Sequence, residues 1–180
     1  MSYYKYSSVI WITGLSASGK TTLANIISDR LRESGLPLIM LDGDDLREIL
    51  GETMHYEREE RKELAFLYAR MVQSISKQGV IVVIATVALF KEVHEWNRKN
   101  IPGYFEVFLD VPFDELRRRD PKHIYKRFDK GEIKNVAGLD FPIDIPSASD
   151  LHFVFDSSIT PEMNADILME KLPLLKNSFK

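Results

Sequence analysis

A glycine-bounded loop near the start of the sequence has the residue types and spacing of a phosphate-binding site. Residues 14–21 read G-L-S-A-S-G-K-T and match the pattern G-x-x-x-x-G-K-[ST]. An apolar run at 9–12 precedes the loop, and a helical pattern at 23–27 follows it. This strand–loop–helix context is the one that the pattern requires, so we predict a site for a nucleoside triphosphate.

The chemistry of such a loop explains its spacing. Glycines let successive backbone N–H groups turn toward phosphate oxygens, and the positive N-terminal end of the next helix adds to the attraction. Lys20 can then reach the β- and γ-phosphates, and the Thr21 hydroxyl can hold Mg²⁺. The residues predicted to bind ATP here are Gly14, Ser16, Ala17, Ser18, Gly19, Lys20, Thr21 and Thr22.

An acidic cluster follows the second predicted strand. Asp42, Asp44 and Asp45 stand next to Arg47, just past the carboxyl end of that strand. Ligands bind at this end of the strands in open α/β sheets. We therefore predict that Asp42 is a catalytic base that takes a hydroxyl proton near Mg²⁺, with Asp44 beside it. Asp45 is a candidate N-cap for a short helix at 46–50.

Apolar runs alternate with helical patterns along the chain, which predicts βαβ units around a parallel sheet. The predicted strands are 9–13, 38–41, 80–85, 104–109 and 151–155. The predicted helices are 20–33, 46–50, 57–77, 91–100, 113–119 and 161–175. We predict one α/β kinase domain of the P-loop type over residues 1–180.

Residues 120–146 interrupt this alternation. The segment is rich in Lys, Arg, Gly and Pro and carries no apolar period. A loop this long inside a compact domain is usually functional, and this one lies between a helix and a strand. We predict a basic lid whose cations close over the transferred phosphoryl group and exclude water.

The composition limits the class of the protein. The 180 residues carry a net charge of −3, which argues against a broad nucleic-acid surface. The chain has no cysteine, so a disulfide framework and a thiolate metal site are excluded. Its longest apolar run, 80–90, is too short to cross a bilayer, and its first residues do not resemble a secretion signal. We expect a cytoplasmic enzyme with neither a membrane nor a nucleic acid as partner.

Other users of phosphate loops fit this sequence less well. A guanine-nucleotide switch needs an Asn-Lys-x-Asp base reader, and the nearest sequence, 97–100, reads N-R-K-N. A hydrolytic motor usually has an acidic residue after the central strand, where this chain has T-V-A at 86–88. A small-molecule kinase is the favoured interpretation. A non-catalytic nucleotide-binding module and a nucleoside monophosphate kinase stay open as alternatives.

Several segments resemble the adenylylsulfate kinase family over about residues 9–155. The opening motif of the family is matched at 11–24, and its second motif is matched at 41–44 and 47. Its lid is matched at 119–122, 125–126, 131–134 and 138–140. The resemblance implies a Mg·ATP-dependent kinase that phosphorylates the 3′-hydroxyl of a nucleotide carrying a sulfuryl-type anhydride. It also implies a homodimer and a three-layer αβα fold with a five-stranded parallel sheet.

The resemblance also implies roles for individual residues. Asp42 would be the base and would hold Mg²⁺ partly through water, while Arg47 and Arg61 would hold the phosphate and anhydride of the acceptor. Lys122 would be the cation of the lid, and Arg119 would lie near the base of ATP. The other predicted positions of the acceptor pocket are Tyr56, Leu64, Val87, Ala88 and Val136.

The chain departs from the family pattern on the acceptor side. Leu64 stands where the family has an acceptor-binding asparagine, and Val136 where it has a phenylalanine that would stack on adenine. Ala88 replaces a serine, which excludes a phosphoserine intermediate and leaves direct in-line transfer. We therefore predict an acceptor with a different base. Cytidine diphosphoramidate, whose 3′-phosphorylation serves bacterial capsule modification, is the candidate, and adenylylsulfate stays in contention.

Overall fold

A parallel sheet forms the centre of the molecule. In the computed structural model, which describes residues 8–51 and 57–173, this sheet has five strands in the order β2-β3-β1-β4-β5. The strands are β1 (Ser8–Gly14), β2 (Leu38–Asp42), β3 (Ile81–Thr86), β4 (Tyr104–Asp110) and β5 (Leu151–Val154). All neighbouring pairs run parallel. The predicted five-stranded parallel sheet is therefore confirmed.

Helices cover both faces of this sheet. They are α1 (Lys20–Glu33), α2 (Gly43–Leu50), α3 (Arg58–Ser76), α4 (Lys91–Asn100), α5 (Phe113–Arg119), α6 (Ile124–Asp129) and α7 (Pro161–Lys171). Alternate residues of β1 point to opposite faces, because the side-chain period of a strand is two. Trp11 packs with α3 and α4 in one apolar core, and Ile10 and Ile12 pack with α1 and α7 in the other. The result is the predicted three-layer αβα arrangement.

The helix after β2 begins earlier than the sequence suggested. It starts at Gly43 rather than at Leu46, and its N-cap is Asp42, whose side chain accepts a hydrogen bond from the backbone N–H of Asp44 at 2.8 Å. The prediction that Asp45 caps this helix is therefore wrong. Because the cap and the strand end are the same residue, the backbone of Asp42 is held in β2 while its carboxylate is tied to the backbone of α2.

The segment that was predicted as a patternless lid contains regular structure. Helix α6 lies inside it, and a small apolar core joins α5 to the lid through Leu116, Tyr125 and Val136. The Tyr125 hydroxyl donates a hydrogen bond to the carbonyl of Ser16 at 2.9 Å. The lid segment (residues 120–146) thus rests on the phosphate loop through a hydrogen bond and an apolar cluster.

A polar network is buried beneath α4, away from the phosphate loop. Glu106, on β4, is 2% exposed, and its Oε1 lies 2.5 Å from Nδ1 of His94 and accepts a hydrogen bond from the Tyr104 hydroxyl at 2.7 Å. The Arg98 guanidinium lies 3.7 Å from the other carboxylate oxygen. Burial raises the pKa of Glu106, but the hydrogen bonds with His94 and Tyr104 outweigh burial and hold the pKa below its usual value.

Replacing Glu106 tests this network. We expect Glu106→Gln to lower the free energy of unfolding at pH 7 by about 1–3 kcal/mol, because the buried partners lose a charged acceptor. A depressed pKa in the folded state stabilises the fold above the unfolded value and loses that effect as the pH falls through the folded value. Urea denaturation should therefore show the difference between variant and parent narrowing below the usual glutamate value of 4.5.

The matched control is Glu95→Gln, on the exposed side of α4, the helix that covers the network, where the side chain is 66% exposed. We expect this control to change stability by less than about 0.5 kcal/mol. Equal stabilities of Glu106→Gln and Glu95→Gln at pH 7 would show that the network does not stabilise the fold.

Candidate functional site

A cavity of about 1140 Å³ lies at the carboxyl ends of β1, β2 and β3. Its wall is formed by the phosphate loop, helices α2 and α3, residues 86–90 after β3, and the lid segment. Pockets for one small ligand typically measure about 300–1,000 Å³. A cavity of this size, with a phosphate loop at one side, can hold a triphosphate and a second nucleotide together.

The phosphate loop leaves the start of α1 open to a ligand. Gly14 has φ of +151°, and a Cβ there would lie 2.7 Å from the carbonyl oxygen of Leu109, so the turn needs glycine. Gly19 precedes α1 in a left-handed conformation, and no side chain caps the helix. The first N–H groups of α1 are therefore free of side-chain acceptors and suited to bind phosphate oxygens.

The predicted ATP-binding residues divide into two groups. Those that line the cavity are Ser16, Ala17, Gly19, Lys20, Thr21 and Thr22. Gly14 and Ser18 are buried within the loop instead, and the hydroxyl of Ser18 has no hydrogen-bond partner among the described residues. The contribution of Gly14 and Ser18 is thus to the shape of the loop and its backbone.

The positively charged side chain of Lys20 lies at the phosphate loop in a partly buried position. Its ammonium group donates a hydrogen bond to the carbonyl of Leu15 at 2.8 Å. Burial lowers the pKa of Lys20 to about 8, although the negative charge of Asp42 opposes this shift. A phosphate beside Lys20 would add negative charge to that of Asp42 and stabilise the ammonium group.

Asp42 is anchored to the phosphate loop. Its Oδ2 accepts a hydrogen bond from the Thr21 hydroxyl at 2.6 Å, its Oδ1 accepts from Asp44, and the residue is 9% exposed. Because the Thr21 hydroxyl donates its hydrogen bond to Asp42, the lone pairs of the hydroxyl oxygen stay available to a cation. A hydroxyl and a carboxylate beside a phosphate site are the oxygen ligands that Mg²⁺ prefers, so the residues fit that ion.

Asp44 has a different environment from Asp42. It lines the cavity and forms ion pairs with Arg47 of the same helix and with Lys122 of the lid segment. All three side chains are about half exposed. The carboxylate of Asp44 thus joins the two cations that were predicted to hold the acceptor and to close the lid.

The predicted acceptor residues also meet in the cavity. Those that line it are Arg47, Arg61, Leu64, Val87, Ala88, Lys122 and Val136. The Arg61 guanidinium lies 4.8 Å from the centre of the Phe141 ring. Tyr56 falls outside the described residues. Leu64, Ala88 and Val136 are buried, so this half of the cavity presents apolar side chains beside two arginines.

Sequence reasoning did not assign aromatic residues of this wall to the site, and Phe141 and Tyr68 are two of them. Phe141 and Tyr68 line the cavity, and both are less than 5% exposed. Tyr68 lies in the predicted helix 57–77, and the sequence alone assigned it no role. It stands seven residues after Arg61, two helical turns further on the same face of α3, and that spacing was the available signal.

Arg119 lies at the opposite side of the phosphate loop. Its Nε donates to Glu115 at 2.6 Å, and its Nη1 donates to the carbonyl of Ala17 at 3.4 Å. Its guanidinium carbon stands 5.0 Å from the centre of the Phe155 ring. This arrangement holds a planar cation at the rim of the cavity next to the loop.

Two kinds of feature are absent from residues 8–51 and 57–173. None of their helices is long and apolar enough to cross a membrane. None of their His, Asp or Glu side chains gather in groups of three or more that could bind a metal without help from a ligand.

Comparison with known proteins agrees with this geometry. The family model described as Adenylylsulphate kinase matches residues 6–154. The cytidine diphosphoramidate kinase of Campylobacter jejuni is 36% identical over 166 residues, which cover 92% of this chain and 96% of the relative. The adenylyl-sulfate kinase of Chloroflexus aurantiacus is 34% identical over 169 residues, covering 93% and 91%.

Among solved structures, the APS kinase CysC of Mycobacterium tuberculosis in complex with AMPPNP and APS is similar to this chain over nearly its whole length. It superposes with a TM-score of 0.84 at 29% identity, covering 94% of this chain and 98% of the other. The chain therefore belongs to the adenylylsulphate kinase family and is a phosphotransferase.

Proposed function

We propose that this protein transfers the γ-phosphoryl group of ATP to the 3′-hydroxyl of a small nucleotide anhydride. The observation that carries the proposal is that one cavity joins the phosphate loop to the arginine pair Arg47 and Arg61. The loop provides backbone N–H groups and Lys20 for a triphosphate. The arginines provide positive charge for a second anion, as an acceptor with a phosphate anhydride requires.

The nucleotide side of the reaction follows from the loop. Lys20 and the first N–H groups of α1 would hold the β- and γ-phosphates. Thr21, oriented by Asp42, would hold Mg²⁺, with Asp42 acting partly through water. When bound, the ion would neutralise charge on the phosphates of ATP. Arg119, at the rim, would lie against the base of ATP.

Asp42 is the proposed base for the 3′-hydroxyl, and Asp44 is its proposed partner. Asp42 ends β2 and accepts the hydrogen bond of Thr21. The carboxylate lies behind Thr21 and Asp44, which line the cavity, while Asp42 itself is not among the lining residues. Asp44 would guide Lys122 and Arg47, because it contacts both cations. The lid segment would close through Lys122 and exclude water from the transferred group.

The apolar acceptor half supports cytidine diphosphoramidate as the acceptor, with adenylylsulfate as the alternative. Leu64 and Val136 offer neither an amide nor an aromatic face to a purine. The loss of a base stack alone costs about 1–3 kcal/mol. The similarity to the Campylobacter jejuni enzyme over nearly the whole chain supports the same choice.

Three finer expectations belong to this proposal. The protein would work in the cytoplasm, as a homodimer, and its product would serve capsule modification. These expectations are supported by the family resemblance. They extend the proposed chemistry to its cellular setting.

Replacement of Asp42 tests the proposed base. We expect Asp42→Asn to lower kcat by about 10²–10⁴-fold while binding of ATP weakens far less, because a general base acts in the transition state. Steady-state kinetics and calorimetric titration with ATP measure the two effects. Asp45→Asn is the matched control, since Asp45 is exposed on the same helix and should leave kcat unchanged. Equal losses in kcat and ATP affinity for Asp42→Asn would contradict the base role.

A panel of acceptors tests the substrate. We expect ATP to yield ADP in the presence of cytidine diphosphoramidate or adenylylsulfate, with the higher kcat/KM for the cytidine compound. CMP and AMP should give little turnover, because they lack the group that the second arginine would hold. A coupled assay of ADP release measures all four reactions.

Each alternative predicts a distinct result in this panel. A non-catalytic module would release no ADP with any compound, and a nucleoside monophosphate kinase would prefer CMP or AMP. A clear preference for adenylylsulfate would agree with the proposed kinase activity and would contradict the proposal that the acceptor carries cytosine.

A further inference from the structure

The hydroxyl of Tyr68 is buried in the wall of the cavity without a hydrogen-bond partner among the described residues. Tyr68 is 2% exposed and stands on α3. The other buried side-chain atoms that lack a partner in the described part of the chain belong to Trp11, Ser18, Ser28, His94 and Asn97. None of those residues lines the cavity, whereas Tyr68 does. An unpaired buried hydroxyl is costly, so its presence in a binding cavity points to a ligand.

The position of Tyr68 on α3 places it beside the acceptor residues. Arg61, Leu64, Ala65 and Tyr68 all line the cavity, and their spacing of three, four and seven residues puts them on one helix face. Leu64 has no polar atom to offer. Tyr68 stands one helical turn after it, about 6 Å along the axis, and is the residue on this face that carries an unpaired hydroxyl.

The charge next to Tyr68 indicates the kind of ligand. Arg47 and Tyr68 line the same cavity. Burial raises the pKa of Tyr68, and the positive charge of Arg47 opposes that shift. With a raised pKa the hydroxyl keeps its proton at neutral pH and can donate it. Arg47 can only donate. Two donors in the wall of one cavity suit an anion with several oxygen atoms.

We propose that the Tyr68 hydroxyl donates a hydrogen bond to an oxygen of the terminal group of the acceptor's anhydride, next to Arg47. The inference rests on the proposed function, because it names a residue that recognises that acceptor. Tyr68 would thereby distinguish an anhydride from the nucleoside monophosphate, which ends one group earlier.

The test is Tyr68→Phe, which removes the hydroxyl alone. We expect KM for the acceptor that the parent enzyme uses, adenylylsulfate or cytidine diphosphoramidate, to rise roughly tenfold, as loss of one hydrogen bond to a charged group implies. KM for ATP and the inhibition constants of AMP and CMP should change by less than about twofold, because those ligands do not reach the hydroxyl. The midpoint of thermal unfolding should stay the same or rise, since an unpaired buried hydroxyl is removed.

The matched control is Tyr104→Phe in the same apolar core as Tyr68. The Tyr104 hydroxyl is paired with Glu106, away from the cavity, so this variant should lose thermal stability and keep KM for the acceptor.

The outcomes separate this inference from the proposed function. If the parent enzyme turns over neither anhydride, both the proposed function and the inference about Tyr68 are contradicted. Turnover by the parent with an unchanged acceptor KM in Tyr68→Phe overturns the inference alone, and so does a parallel rise in the inhibition constants of AMP and CMP.

Discussion

A hydrogen bond of 2.6 Å from the Thr21 hydroxyl to Asp42 joins the first helix to the end of the second strand. Helix α1 follows β1 along the chain, and β3 separates β1 from β2 in the sheet. The contact therefore connects the segment after β1 to a strand with which β1 shares no backbone hydrogen bonds. Asp42 is held at the same time as the N-cap of α2. One carboxylate thus fixes the phosphate loop relative to the helix that carries Asp44 and Arg47, and the proposed transfer needs these two parts in register.

Positive charge is arranged around this link in a way that suits two anions. The ammonium of Lys20 is buried, and its pKa is lowered because burial disfavours its charge. Arg47 and Lys122 share Asp44, whose single negative charge offsets part of their positive charge. An incoming acceptor with its own negative charge could compete for those cations. Binding and lid position would then be coupled through Asp44, since it contacts α2 and the lid segment together.

The sequence predicted most of the fold and the phosphate side of the site, because those features depend on local patterns. Strand alternation and the loop at 14–21 are readable from spacing alone. The start of α2 was misjudged because Asp42 serves as strand end and N-cap at once. Helix α6 was missed because its apolar residues, such as Tyr125, pack on distant partners rather than on a repeating face. The role of Tyr68 was hidden, since only the folded chain shows that its hydroxyl is unpaired.

The central claim is that the cavity aligns the 3′-hydroxyl of an acceptor with the terminal phosphate of ATP. A crystal structure with AMPPNP and the acceptor that the panel identifies would measure this alignment. The account predicts that the 3′-oxygen lies about 3–3.5 Å from the γ-phosphorus, in line with the bridging group, and within reach of Asp42. An acceptor bound with its 3′-oxygen turned away from the γ-phosphate, or bound outside the wall formed by Arg47 and Arg61, would contradict it.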